Sequence, residues 1–379
     1  MLPSTVLSAL LPLAATLLPS ALAKTVYTGD RVNGQAVISS LDTKDLDSSK
    51  VHRFYLRAGS LNSGHPLYVP VWVARGAGAV EDGKTFWVST VVHGDELNGV
   101  RVAQLLLGDL EKAVENGSLN GTVIGVPGVN ILGMSRNSRY VPSSSSGGLE
   151  DPNRLFPGVN ASSGGSFVED FIYNVWFGLT ANGTQVDVAV DMHTQSTGGD
   201  TPMWGYADWR VPEIKKLSEL AAVDLLKVDP GEPGSLETTF VEHGVPAITL
   251  EISNAKVWQK KYIKRSHEFL LRALDAWGIL PLEEGSEAQT NYDPSRTYNG
   301  DTFVAHQTSQ AGWWDAYVQP EDDVEAGQVL GKLYNTWGDE LETIRAKASG
   351  KVHTVSADPA REAGSELVRL IRNGTAPKS

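Results

Sequence analysis

Thr85-Phe86-Trp87-Val88-Ser89-Thr90-Val91-Val92 runs without a break into His93-Gly94-Asp95-Glu96. A continuous apolar run of this length, rich in valine and aromatics, reads as a strand buried on both faces. At its end stand a His and a Glu separated by two residues, with Gly94 between them where the chain can turn. Leu97 to Ala113 then places Val100, Ala103, Leu106, Leu107 and Leu110 at helical spacing. Gly121 to Pro127 reads as the next strand, which makes the unit strand, helix, strand.

The same alternation continues outward. Asp187 to His193 and Ala247 to Glu251 read as strands, and Phe167 to Leu179 and about Lys256 to Trp277 as helices. Strands alternating with helices predict an α/β fold with parallel strands. Residues 24–80 mix short apolar runs with Gly, Asp and Ser turns and read as a β-rich entry. Pro281 to Asn299, rich in Glu, Ser, Asn, Asp and Gly, marks a break. Beyond it, strand candidates separated by turns such as Pro320 to Gln328 predict a small all-β module. The expected organisation is a signal peptide at 1–23, a catalytic domain at 24–285 and a C-terminal β domain at 300–379.

Residues 1–23 lack an acidic residue, have a Leu/Ala-rich centre and end in Ala21-Leu22-Ala23, the small-x-small pattern of a cleavage site. The prolines and that pattern argue against a membrane anchor. N-x-S/T sequons follow at Asn116, Asn120, Asn160, Asn182 and Asn373, so a secreted, N-glycosylated protein is expected. The 379 residues carry Lys+Arg 32 against Asp+Glu 45, a net charge of −13, which offers no basic field to nucleic acid or an anionic membrane. With no cysteine there is no disulfide, no iron–sulfur cluster and no thiol nucleophile. A metal site must therefore use His, Asp and Glu.

Catalytic zinc takes three protein ligands, often two His and one Glu, plus a water. His93 and Glu96 supply two candidates, and His193 ends another strand, where a ligand can enter the same crevice. Asn153 and Arg154, in Asp151-Pro152-Asn153-Arg154-Leu155-Phe156-Pro157-Gly158, form a candidate carboxylate clamp, because Arg offers a fork of donors and Asn adds another. Glu251, at the end of Ile248-Thr249-Leu250, can deprotonate a metal-bound water or simply cap a strand. Trp204 and Tyr206 can line an acyl pocket, though core packing is the commoner use of such aromatics.

Together, His93-Gly94-Asp95-Glu96, residues 151–158, Asp191-Met192-His193-Thr194 and residues 248–251 resemble the succinylglutamate desuccinylase/aspartoacylase family, a branch of the zinc carboxypeptidase superfamily. Val324 to Gly331 and Ser349 to Val352 are similar to that family's small C-terminal β module. The resemblance implies a mixed sheet flanked by helices plus that barrel-like module. It implies one zinc per chain, held by His93, Glu96 and His193, with Glu251 as general base. It implies that Asn153 and Arg154 hold a substrate carboxylate and that Asp151 orients His93. An arginine that stabilises the oxyanion is implied as well, Arg139 fitting best and Arg136 second. His52, His65, His243, His267, His306 and His353 are expected at the surface or satisfied in the core. The basic run Lys260, Lys261, Lys264 and Arg265 is expected on a solvated helix face.

The expected function is a secreted zinc hydrolase that cleaves a C–N amide bond in a small N-acyl amino acid. A metallocarboxypeptidase acting on peptides and an inactive metal-bearing binder are the alternatives. The presence of Glu251 argues against the binder, which needs no base there.

Overall fold

The computed structural model describes residues 24–80, 83–143 and 148–374; the signal-peptide segment 1–23 and residues 144–147 of the Ser/Gly loop lie outside the described residues. Strands β1 (Val26–Val32), β2 (Gln35–Ser40), β3 (Lys50–Ser60) and β4 (Pro66–Arg75) lead into β5 (Thr85–Thr90), helix α1 (Asn98–Glu115) and β6 (Thr122–Val126). Then come α2 (Ile131–Met134), the paired strands β7 (Val141–Ser143) and β8 (Gly148–Glu150), α3 (Phe167–Thr180), β9 (Val188–Gln195), β10 (Gly199–Asp200) and β11 (Met203–Ala207). They are followed by α4 (Pro212–Ala221), β12 (Leu225–Val228), α5 (Leu236–Glu242), β13 (Ala247–Asn254), α6 (Lys260–Ala276), α7 (Glu287–Thr290) and β14 (Tyr298–Gly300). The C-terminal strands are β15 (Thr302–Gln307), β16 (Gly312–Ala316), β17 (Asp323–Val324), β18 (Val329–Tyr334), β19 (Glu340–Arg345), β20 (Gly350–Ser356), β21 (Ala360–Arg361) and β22 (Glu366–Arg372).

One mixed sheet of eleven strands runs in the order β1-β2-β3-β4-β6-β5-β9-β13-β11-β12-β14. Its centre is parallel, since β5 pairs with both β6 and β9, and β9 with β13, in that sense. Outside that centre, β4 runs antiparallel to β6 and β11 antiparallel to β13. Parallel neighbours need a long crossover, which α1 supplies between β5 and β6, whereas β3 and β4 are joined by a short turn and pair antiparallel. The short strands β11 and β12, and the helices α4 and α5 between β11 and β13, are not evident from periodicity.

Alternation along β5 places Phe86 and Val88 on one face and Trp87 on the other, and all three are buried. The first face packs under Val102 and Leu106 of α1, Ile214 of α4 and Phe269 of α6. The second packs under Phe171 and Trp176 of α3 and Phe240 of α5. Helices on both faces therefore leave the carboxyl ends of the parallel strands as the open crevice, where ligands of such sheets bind. Among the described residues, no helix is long and apolar enough to cross a membrane.

The C-terminal strands form two further sheets around Trp314, Leu330, Leu333, Val352 and Leu370. Two features join them to the main sheet. Strand β14, inside the stretch read as a break, pairs with β12, and β10 pairs with β20 in the same sheet as β15 and β22. Trp204, Leu225 and Ile371 form a small apolar cluster between the two parts.

Candidate metal and catalytic site

The chain turns after β5 as the glycine required. Gly94 lies so close to the Gly133 backbone that an added Cβ would stand 2.1 Å from its carbonyl carbon. The Glu96 amide donates back to the His93 carbonyl at 3.2 Å, which brings the two side chains together. His93 Nδ1 lies 2.8 Å from Glu96 Oε1, His193 Nδ1 lies 2.8 Å from Glu96 Oε2, and the two Nδ1 atoms are 3.1 Å apart. His93, Glu96 and His193 are all buried and offer ligand atoms within 4.8 Å of one another. The other ring nitrogens are taken: His93 Nε2 is 3.1 Å from Asp151 Oδ1, and His193 Nε2 is 2.7 Å from Asp191 Oδ2. Both rings are thereby fixed with Nδ1 toward the shared point, the arrangement that orients histidine ligands of a metal. Asp151 lies against the first ring, and Asp191, two residues before His193 on β9, against the second.

Opposite charges are balanced tightly around this point. Burial pushes the Glu96 carboxyl up, but His93 and His193 outweigh it and hold it below the usual carboxylate range. Burial likewise opposes ionisation of His193, yet Asp191 and Glu96 hold it well above its ordinary value. Arg139 brings its own positive charge to the same atoms: Nη1 lies 3.1 Å from His93 Nδ1 and 3.2 Å from Glu96 Oε1, and donates to Ser196 Oγ at 2.7 Å. Its Nη2 donates to Asp151 Oδ2 at 3.0 Å. Arg136, the other candidate, is exposed and does not line the crevice.

A cavity of about 260 Å³ opens beside this cluster, lined among others by Arg139, Asn153, Arg154, Trp204, Glu237 and Glu251. Glu251 stands in register with His193 across β13 and β9, 9% exposed, and its Oε2 is buried without a hydrogen-bond partner. Burial and the neighbouring Glu96 carboxylate push its pKa up to about 8. Asn153 and Arg154 belong to a tight turn whose first carboxylate, Asp151, accepts from the Asn153 amide at 3.0 Å. Asn153 Oδ1 accepts from the Leu236 amide at 2.9 Å, so its remaining side-chain group toward the cavity is the Nδ2 donor. The Arg154 guanidinium is partly exposed, with Nε 3.5 Å from Glu232.

The structure thus brings together His93, Glu96, His193, Asp151, Arg139, Asn153, Arg154 and Glu251 in one crevice. It also adds residues that periodicity does not single out. Trp204 and Tyr206 pair with Glu251 and Thr249 across β11 and β13 and line the cavity, while Trp204 also packs on Phe303 and His353. The reading of these aromatics as core is therefore half of their use. Arg369, from β22 in the C-terminal part, lines the same cavity, with Nε held 2.8 Å from Glu366. Glu237, at the start of α5, lines it as well. Of the histidines outside the site, His267 pairs with Asp109 at 2.7 Å and His306 Nε2 accepts from the Lys347 amide. His353 departs from the expected pattern: it is buried between Trp204 and Phe303 with Nε2 unpartnered.

The family model for the succinylglutamate desuccinylase/aspartoacylase catalytic domain matches residues 82–277. Among solved structures, the chain is similar to the product-bound ectoine utilization protein EutE (DoeB) of Ruegeria pomeroyi, at 19% identity and TM-score 0.73, over 87% of this chain and 98% of that one. A succinylglutamate desuccinylase/aspartoacylase from Rhodobacter sphaeroides matches at 18% identity and TM-score 0.70, over 88% and 98%. An aspartoacylase family protein from Mesorhizobium loti matches at 20% and 0.68, again over 88% and 98%. At these identities the likeness is one of fold. No curated protein matches the sequence.

Proposed function

The chain belongs to the succinylglutamate desuccinylase/aspartoacylase family, and from that premise we propose that it is a zinc-dependent amide hydrolase that deacylates a small N-acyl amino acid. The observation that carries the reading is the convergence of His93 Nδ1, His193 Nδ1 and the Glu96 carboxylate beside Glu251, whose buried Oε2 has no hydrogen-bond partner. Two nitrogens and a carboxylate suit zinc, and one such site gives one zinc per chain. Zinc there would polarise the acyl carbonyl and lower the pKa of a water. Asp151 and Asp191 keep the two imidazoles aimed at that point. Glu251 takes the proton of the attacking water and returns it to the amine as the C–N bond breaks. Arg139 stabilises the charge that develops on the carbonyl oxygen. Arg154 and the Nδ2 group of Asn153 hold the carboxylate of the amino-acid part.

Secretion is part of the proposal. Of the five sequon asparagines, Asn116, Asn120, Asn182 and Asn373 are exposed, which suits glycan attachment. The proposed division is a mature catalytic domain over 24–285 and a C-terminal β domain over 300–379, the second contributing Arg369 to the cavity wall.

The test is a screen of N-acyl amino acids, their methyl esters and short peptides with the zinc-loaded protein. Release of free amino acid from N-acyl amino acids, with loss of turnover on their methyl esters, is the expected result. Equal turnover of acid and ester removes the carboxylate clamp, and cleavage of peptides alone makes the protein a carboxypeptidase. Arg154→Ala should raise KM by roughly one to two orders of magnitude, as for a lost charged hydrogen bond.

A further inference from the structure

The C-terminal part turns aromatic side chains outward as well as inward. Along β16, Trp314 is buried in the core of that part, so alternation sends Trp313 and Asp315 to the opposite face. The Tyr317 amide donates to the Leu330 carbonyl at 2.9 Å, so the pairing runs past the end of β16 and Tyr317 shares that outer face. Trp313 stands opposite Tyr334 of β18, whose hydroxyl lies 3.1 Å from that of Tyr317. The turn between β18 and β19 carries a second indole, Trp337. Asn335 Oδ1 accepts from the Trp337 and Asp339 amides, each at 2.9 Å, so the turn keeps its shape without the indole. Trp337 is 87% exposed, Tyr317 51% and Trp313 47%. Large rings gathered at one face leave apolar surface in water for which the fold has no use.

Trp313 and Trp337 line one cavity of about 470 Å³. Its other side chains are Asn335, Thr336, Arg361 and Glu362, and the rest of the wall is glycine and alanine. Trp313 Nε1 lies 3.5 Å from Thr336 Oγ1, which links the strand to the turn. Arg361 Nε is buried without a hydrogen-bond partner. This cavity shares no residue with the one beside His93 and Glu251.

We infer that this face is a binding site for an uncharged carbohydrate chain, with Trp337 and Trp313 as the platforms on which sugar rings stack. A pyranose ring presents C–H groups of partial positive charge on its faces and hydroxyls around its edge. The first match the electron-rich face of an indole. The second match the amide, hydroxyl, guanidinium and carboxylate groups of the same wall. Trp313 to Tyr317 is four residues of extended strand, about 13 Å, which is room for more than one ring. The charges favour a neutral ligand. Arg361 and Glu362 cancel, and Lys332 pairs with Glu340 at 2.7 Å and stands opposite Asp315. A bilayer surface calls for basic residues in excess beside the rings, and a protein partner for aliphatic side chains that seal them from water; neither lines this cavity. The inference gives the C-terminal part a binding function of its own and does not rest on the hydrolase reading.

The test uses the full chain. Retention is measured in native gels containing hydroxyethyl cellulose, laminarin or glucomannan, and by sedimentation with microcrystalline cellulose and chitin. The wild-type protein should be retained by at least one of the five, and soluble oligosaccharides of that glycan should shift tryptophan emission to shorter wavelength. Trp337→Ala should weaken the affinity about tenfold, and the double variant Trp313→Ala, Trp337→Ala about a hundredfold, as for one and two lost stacking rings. Trp337→Tyr keeps a ring and should keep most of the binding. Trp337 stands at a turn tip, so its truncation should leave the melting temperature unchanged. Absence of retention on all five glycans overturns the inference, as does retention unchanged in Trp337→Ala and in the double variant. Binding to phosphatidylcholine vesicles in place of glycans gives the face to a membrane and overturns it too. So does a dimer in sedimentation that Trp337→Ala dissociates, which gives the face to a second copy of the chain. No readout depends on turnover, so failure of the hydrolase reading leaves this one standing.

Discussion

Three carboxylates around the two histidines each touch a basic side chain; two others along the cavity, Glu251 and Glu237, touch none. Glu96 touches His93, His193 and Arg139, Asp151 touches His93 and Arg139, and Asp191 touches His193. Glu96 and Asp151 are consequently held below the usual carboxylate range. Glu251, in register with His193, and Glu237, at the start of α5, are pushed up to about 8. One region has its charge settled by the fold and is rigid in advance, as metal ligation requires. The other two carboxyls are poised between two protonation states, as proton transfer requires.

The harshest way to break this contrast is at the ligand end. His193→Ala removes one of the three proposed ligands and leaves Asp191 and Glu96 without their shared partner. Loss of bound zinc by metal analysis and turnover at background are expected, and full zinc occupancy would remove His193 from the site. Next in size is Glu251→Gln, which keeps shape but cannot take a proton. Its kcat should drop by roughly two to four orders of magnitude with zinc content and melting temperature unchanged. A near-wild-type kcat in the zinc-loaded variant would refute the base assignment. Asp191→Asn sharpens the comparison without removing a ligand. Zinc affinity measured by chelator competition should weaken about tenfold to a hundredfold, and an unchanged affinity would make the 2.7 Å contact to His193 merely structural.

The smallest expected effect on turnover comes with a change in stability at the other end. Glu237 has a folded pKa of about 8 against an ordinary 4.5, a raised value, so its contribution is fully present below pH 4.5 and is lost as pH rises toward 8. Glu237→Gln cannot titrate. Between pH 5 and 8 the wild-type protein should therefore lose about 3 to 4 kcal/mol more unfolding free energy than the variant, measured by urea titration. Parallel decline of the two would mean that water or a cation already reaches this carboxyl.

What the sequence made legible follows the same division. The ligand end is written in short contiguous motifs at strand ends, because a buried strand fixes where its last residue points. His93, His193 and Glu251 were readable for that reason, and residues 151–154 because a turn needs few neighbours to define it. The α5 end is assembled from elements with weak periodic signals. Strand β11 has five residues, α5 has seven, and β22 lies in another sheet. Glu237 and Arg369 carry no local pattern that distinguishes them from surface charges; only the pairing of distant segments turns them inward. Asp191 lies two residues before His193 on the same strand face, but its 2.7 Å contact depends on a ring rotation that spacing does not encode.

The pairing of Gly199 and Asp200 with Ser356 and Val355 has a consequence for how the chain can be cut. Those two residues continue directly from the strand that ends in His193 and Gln195, and they are stitched to the far module by backbone hydrogen bonds. Together with β14 on β12 and the Trp204–Leu225–Ile371 cluster, they tie the two parts together on both sides of the 281–299 segment. A protease that nicks that segment leaves one noncovalent particle instead of two fragments, and the hydrolytic half cannot be transplanted without the wall that carries Arg369.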